Sequence, residues 1–252
     1  MARYRLQLSY DGRPFRGFAP NEGVPTVGGA LRDALEKVLQ HSVPIVCAGR
    51  TDAGVHALVQ VVSFDTDKPV VLEALRTSLN SLCRPHIVVS DVQLVADDFD
   101  ARFSCKGRSY RYRILNRRLP DPFRKDYTWR VSLPLDVDQM QAAGQLLLGT
   151  HDFSSFCRRQ FDVFGDQRVE KPRTRTLRSV GWTRQPDDEI QLVIAASSFC
   201  QQMVRSITGM CVDVGLGVLA VSDVPSILEA KDRKAVQRVA PPHGLFLLQV
   251  TY

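Results

Sequence analysis

Apolar and polar positions alternate at the start of the chain, where Tyr4, Leu6, Leu8 and Tyr10 are separated by Arg5, Gln7 and Ser9. A period of two predicts a strand with one buried face. The period changes after Thr26: Val27, Leu31, Leu35, Val38 and Leu39 follow the face of a helix, and Thr26 is placed to cap its first turn. Two apolar runs, Ile45 to Ala48 and Leu58 to Phe64, read as strands. A second helical stripe (Leu72, Leu75, Leu79, Leu82) and a strand from Ile87 to Val95 complete a mixed unit whose sheet is expected to be largely antiparallel.

Beyond the polar stretch Ala96 to Arg102 the order begins again. Ser109 to Leu115 is an expected strand, and Val137, Met140, Leu146 and Leu147 mark a helix. Strands near Thr176 to Trp182 and Ile190 to Ala195 follow. A long helix from about Phe199 to Leu216, a short one near Val224 to Ala230 and a last strand at Leu245 to Tyr252 end the chain. The fold class expected is α+β in two similar halves, 1–103 and 104–252, with the repeat visible in element order and not in sequence identity.

Composition adds three constraints. With 44% hydrophobic and 24% charged residues the chain suits a packed globular enzyme. The alternating start is not a signal segment, and Ile207 to Val212 is too short to span a bilayer, so a cytoplasmic protein is expected. The six cysteines (Cys47, Cys83, Cys105, Cys157, Cys200, Cys211) and five histidines show no metal-ligand spacing, which predicts reduced thiols and no metal.

The net charge of +6 is unevenly placed. Between Ala101 and Arg130 ten Lys or Arg stand against Asp121 and Asp126, and a second basic segment, Arg158 to Arg178, carries Arg159, Arg168, Lys171, Arg173 and Arg175 against three acids. Such clusters fit a polyanionic partner, and they also fit a solvated face.

The sharpest segment is Ala48-Gly49-Arg50-Thr51-Asp52-Ala53-Gly54-Val55-His56-Ala57, a polar connection between two strands. A carboxylate there is held by rigid elements and stays reachable, as a nucleophile or general base requires. A turn capped by an aspartate has the same composition, so the residues alone leave both readings open. From Phe199 to Ala220 the apolar helix carries only Arg205 and Asp213, eight apart and too distant for a helix pair. Arg205 therefore needs a carboxylate from elsewhere, for which Asp52 is a candidate, unless it snorkels to solvent. In Arg108-Ser109-Tyr110-Arg111-Tyr112-Arg113, rings alternate with cations. The rings can stack on bases or fill the core, and one tyrosine is expected at a site edge.

Gly49-Arg50-Thr51-Asp52-Ala53-Gly54-Val55-His56 resembles the signature of TruA-type tRNA pseudouridine synthases. Further segments fall in the expected order: Asp98 to Ser104, Tyr110-Arg111-Tyr112, Gly149 to Phe156, Met203 to Gly209 and Gly244 to Leu247. The resemblance implies that Asp52 is the catalytic aspartate, Arg205 its ion-pair partner, Tyr110 the tyrosine packing on the target base and Leu245 an apolar wall of the pocket. Arg50, Thr51, His56, Arg102 and Tyr112, which lie in the same motifs, become substrate-binding candidates. It further implies two halves related by a pseudo-twofold, forming one extended sheet with helices on one face and a basic cleft on the other. The implied partners are tRNA and a second copy in a homodimer, with no membrane, metal or small-molecule cofactor. The target would be uridines 38 to 40 of the anticodon stem-loop.

Two segments depart from the family pattern. Phe18-Ala19-Pro20-Asn21-Glu22 stands where a Trp followed by Gln-Arg-Gln is usual in an RNA-contacting loop, and Cys200-Gln201-Gln202 replaces bulkier or His-containing pairs. A non-catalytic tRNA-binding protein on the same scaffold is the alternative, and Asp52, Tyr110 and Arg205 argue against it. A glycosidase would need a second acid beside Asp52.

Overall fold

The computed structural model describes residues 1–164 and 167–252. In chain order its elements are β1 (Ala2–Tyr10), α1 (Val27–Leu39), β2 (Ile45–Cys47), β3 (His56–Thr66), α2 (Leu72–Cys83) and β4 (Ile87–Val95). Then come β5 (Gly107–Asn116), β6 (Trp129–Val131), α3 (Val137–Gln145), β7 (Gly149–Asp152), β8 (Phe161–Phe164) and β9 (Gln167–Glu170). The last are β10 (Thr174–Arg184), β11 (Glu189–Ala196), α4 (Met203–Gly215), α5 (Val224–Glu229) and β12 (Leu245–Thr251). These residues form two compact units, Met1–Lys106 with Phe246–Tyr252, and Gly107–Leu245. The class is mixed, with strand pairing mainly antiparallel.

In the first unit β1 lies between β3 and β4, antiparallel to both. The far edge of β3 is shared: β2 runs antiparallel along Val62 to Phe64, and β12 runs parallel at His56 and Ala57. β12 pairs with β3 in the sheet of the first unit from Phe246 onward. Nothing local in a strand says which edge it will join. The alternation of β1 buries Tyr4, Leu6, Leu8 and Tyr10, and Tyr4 stacks on Phe64, its cross-strand partner. β3 is buried along most of its length, its polar Gln60 and Ser63 included, because both its faces are covered. Val62 and Phe64 join Leu6 and Tyr4, while Val61 faces Ala48 and Ala101 with Phe99, Val250 and Tyr252 beside them. Helix α1 starts where expected, the Thr26 hydroxyl accepting from the Gly29 amide, and it buries Leu31, Ala34 and Leu35. Each such leucine contributes roughly 1.5–3 kcal/mol of burial. Where β4 carries an extra residue against β1, at Ser90, the Asn80 amide of α2 pairs with both backbone groups of Val89, at 2.7 and 2.9 Å. The bulge thus leaves neither group unsatisfied.

In the second unit β5, β11, β10 and β7 pair antiparallel in that order, and β6 lies parallel to the end of β5. Helix α3 packs on β10 and on α4, most of whose residues are buried. β6, β7 and the ladder of β8 with β9 are not legible in the sequence, because three or four residues are too few to show a period. Gly165 and Asp166, within the second basic segment, lie outside the described residues.

Helix α4 begins at Met203 and not at Phe199, since Gln202 has a left-handed backbone (φ 67°) and the preceding residues are tied to the 157–158 segment. The Arg158 amide donates to the Gln201 carbonyl at 3.0 Å, and Cys157 is joined to Cys200 in a disulfide. This corrects the expectation that all six cysteines are free thiols, which holds for Cys47, Cys83, Cys105 and Cys211. The two partners lie 43 residues apart, and only the folded chain brings them together. Among the described residues no helix is long and apolar enough to cross a membrane, and no group of three or more His, Cys, Asp or Glu is placed to hold a metal.

Candidate active site

The loop between β2 and β3 is fastened at its entrance. The Gln60 side chain, fully buried, donates to the Gly49 carbonyl at 2.7 Å. Residue 51 is gripped from two directions: its hydroxyl meets the Tyr10 hydroxyl at 2.8 Å, and its carbonyl accepts from the Phe18 amide at 3.1 Å. Asp52 comes next, half-buried, and its carbonyl accepts from the Val55 amide at 3.2 Å to close a turn that Gly54 completes at φ 76°. Arg50 is exposed, Thr51 and His56 are buried.

The segment Tyr10–Phe18 presses on this loop from outside. An added Cβ at Gly12 would lie 2.1 Å from the Val55 carbonyl oxygen, and one at Gly17, itself at φ +102°, would be 2.9 Å from the Thr51 oxygen. Both positions require the missing side chain, and Gly17 also requires the positive φ. Beside them the His56 ring, 2% exposed, stacks on Phe246 with centroids 4.6 Å apart. Its Nδ1 lies 3.2 Å from the Gly12 amide and 3.3 Å from Asp11 Oδ1. Asp11 also takes the Arg13 guanidinium in a forked pair. Burial pushes the Asp11 carboxyl up, but hydrogen bonds and charge from Arg13, with His56 adding, outweigh it and hold the group down to about 2.

In the second unit Arg205 leaves α4 partly buried. Its Nε donates to the Ala240 carbonyl at 2.7 Å, and its own carbonyl accepts from the Ala240 amide at 3.0 Å, so one residue clamps the strap that leads to Leu245. Tyr112 holds the same strap: its hydroxyl donates to the Pro241 carbonyl at 2.8 Å, and a Cβ at Gly244 would be 2.8 Å from its ring. Burial pushes the Tyr112 hydroxyl well above its usual range, against the opposing charge of Arg205. Burial pushes His243 and Arg233 down, and the charge of Arg205 adds to both. Leu245 is buried at the end of the strap.

Positions i and i+2 of a strand share a face, so Tyr110 and Tyr112 are both buried, and they differ in partners. The Tyr110 ring meets Phe199 edge-on at 5.1 Å, whereas Tyr112 meets Trp129 and Pro241.

The basic segments are thinner in space than along the chain. Arg113 is held by both oxygens of the buried Glu189, at 2.8 and 2.7 Å, and Arg124 by Asp121 and Asp187. Arg102, Lys106, Arg118, Lys125 and Arg130 are exposed. Arg102 stands on the turn capped by Asp100, its guanidinium 5.4 Å from the exposed Phe103 ring. In the departing segment Phe18 is a core residue beside Tyr10, and Pro20, Asn21 and Glu22 are exposed.

Within the first unit the structure thus assembles Thr51, Asp52 and His56 with Tyr10, Asp11 and Gly12, and within the second it assembles Tyr112 and Arg205 with the strap to Leu245. Sequence reasoning missed the clamp on the loop. Its only signal was the pair of glycines in Tyr10-Asp11-Gly12 and Phe15-Arg16-Gly17, following a strand.

Comparison with known proteins bears on the same segments. A family model described as tRNA pseudouridine synthase matches residues 8–104 and 143–252. The chain is 41% identical over 253 residues to the tRNA pseudouridine synthase A of Caulobacter sp. strain K31, covering 100% of this chain and 98% of that one. It is 43% identical to that of Rhodopseudomonas palustris strain HaA2, with 100% of both chains covered. The Bacillus subtilis strain 168 protein of the same name is 40% identical, with 99% of each covered. A model match over most of the chain, and relatives about 40% identical from end to end, place this chain in the tRNA pseudouridine synthase family.

Proposed function

We propose that this chain isomerises uridine to pseudouridine in tRNA, in the anticodon stem-loop, with Asp52 as the catalytic carboxylate. The observation that carries the reading is Asp52 itself, a half-buried acid on a loop that is fastened at Gly49 and Thr51 before it and closed by the Val55 amide after it. Rigid support with access suits a group that must meet a ribose.

The reaction breaks the C1′–N1 bond, turns the uracil and joins C1′ to C5. The base must first leave the stack, which costs a few kcal/mol and is offset by contacts elsewhere on the RNA. Exposed Arg50, Arg102, Lys106, Arg118, Lys125 and Arg130 supply cations for such contacts. The carboxylate then acts at the sugar, by attack on C1′ or by removal of the 2′ proton, and both routes need it ionised. Arg205 is its proposed partner, since an opposite charge favours the ionised form, and two hydrogen bonds with Ala240 give that guanidinium a fixed origin. Tyr110 is proposed to hold the freed uracil and Leu245 to line its pocket. Homodimer formation and a cytoplasmic setting belong to the same reading, as do the two halves, 1–103 and 104–252, and the basic cleft.

Replacing Asp52 by Asn keeps the shape and removes the charge. In an assay of purified protein on unmodified tRNA transcripts with pseudouridines mapped, the variant is expected to form none while still binding tRNA. Turnover in Asp52→Asn, or no pseudouridine from the unaltered protein, would remove the assignment.

A further inference from the structure

The loop carrying Asp52 is touched by a set of polar groups that the proposed chemistry does not use. His56 is the first residue of β3, four places after Asp52, and sequence reasoning offers it as a substrate contact. Its ring is 2% exposed and lies flat on Phe246, so its surroundings are those of a structural group. On one side Nδ1 receives the Gly12 amide at 3.2 Å, and Asp11 Oδ1 stands 3.3 Å away. Asp11 is anchored in turn: its carboxylate takes Arg13, its amide donates to the His86 carbonyl at 2.9 Å, and His86 Nδ1 lies 3.9 Å from its other oxygen. Gly12 is pressed against the Val55 carbonyl, and Val55 closes the turn onto Asp52. These are consecutive contacts that run from Arg13 through Asp11, His56, Gly12 and Val55 to residue 52.

We infer that Asp11 and His56 are positioning residues for the reaction, holding the 52–55 turn where the Asp52 carboxylate meets the ribose, and that His56 does so through Nδ1 and not by touching RNA. The inference rests on Asp52 being the catalytic carboxylate. Its chemistry is specific: an acceptor at the Nδ1 position fixes the Gly12 amide, and Gly12 has no side chain to keep it away from Val55. Loss of that acceptor frees the Gly12 amide to move, and with it Asp11, the residue next to it in the chain. A shift of about 1 Å in a catalytic group costs up to about a hundredfold in rate.

The test compares kcat and KM on unmodified tRNA for His56→Leu, His56→Asn, His56→Gln and Asp11→Asn, beside Asp52→Asn, with folding checked by thermal melting. The Asn amide oxygen reaches the Nδ1 position, whereas that of Gln reaches further, toward Nε2. Expected are a fall in kcat of at least about tenfold for His56→Leu and Asp11→Asn with KM within about twofold. His56→Asn should recover kcat to within about threefold of the unaltered protein, and His56→Gln should not. If His56→Leu does not fold, Asp11→Asn, a partly exposed position, carries the test. Unchanged kcat in both, a rise in KM with kcat intact, or equal recovery by Asn and Gln would overturn the inference. Those results with Asp52→Asn inactive sink the positioning role alone, while turnover in Asp52→Asn sinks the underlying reading.

Discussion

Three glycines of the first unit, two of them against the Asp52 loop, separate two physical costs that usually come mixed. An alanine at Gly23 pays only for conformation, since φ is +75° and a Cβ there meets nothing within 4 Å. That cost is about 1–2 kcal/mol. An alanine at Gly12 pays only for space, because its Cβ would fall 2.1 Å from the Val55 oxygen and 2.6 Å from the Val55 carbon. An ordinary contact needs about 3.4 Å or more, so the backbone of the turn must yield by roughly 1 Å, at an overpacking cost of about 1–3 kcal/mol. Gly17 pays both, with φ +102° and the Thr51 oxygen at 2.9 Å. Urea unfolding should therefore show similar losses for Gly12→Ala and Gly23→Ala, and a larger one for Gly17→Ala. Activity should divide them differently. A turn moved by about 1 Å lowers kcat by up to about a hundredfold, so Gly12→Ala and Gly17→Ala should lose turnover while Gly23→Ala keeps it. Wild-type kcat in a folded Gly12→Ala protein would refute the claim that this contact places the catalytic turn.

The remaining expectations concern single groups. Asp11 is held at about 2 in the folded protein against an ordinary 3.8, so it stabilises the fold above pH 4 and that contribution disappears as pH falls toward 2. Discounted for solvent screening it is worth about 1 kcal/mol, and acid unfolding of Asp11→Asn should lack this component. Tyr112→Phe strips the donor from the Pro241 carbonyl; a loss of about 1–2 kcal/mol is expected in thermal melts, and an unchanged midpoint would contradict the bond's role. Burial pushes the Cys83 thiol up to about 11 and Cys211 up to about 12. Alkylation of the native protein at pH 8, followed by mass spectrometry, should therefore mark the half-buried Cys47 and Cys105 first, with early labelling of Cys211 counting against its burial.

Much of this molecule is legible along the chain. The alternation of Tyr4 to Tyr10 and the stripe Val27 to Leu39 mark β1 and α1, and Thr26 caps where its hydroxyl suggests. The motif around Asp52, with its two glycines, is plain in the sequence, and so is the oddity of Arg205 on an apolar helix. These features are local, because a strand repeats every two residues and a helix every three or four, whatever the rest of the chain does. Partner choice is not local. That β12 joins β3, that Cys157 meets Cys200, that Glu189 takes Arg113 out of the basic segment, and that Asp11 reaches His56 all depend on which residues the folded backbone brings within a few ångströms. A side chain's chemistry is written at its own position, but its neighbours are set by contacts between residues 40 or more apart, which only the packed structure selects.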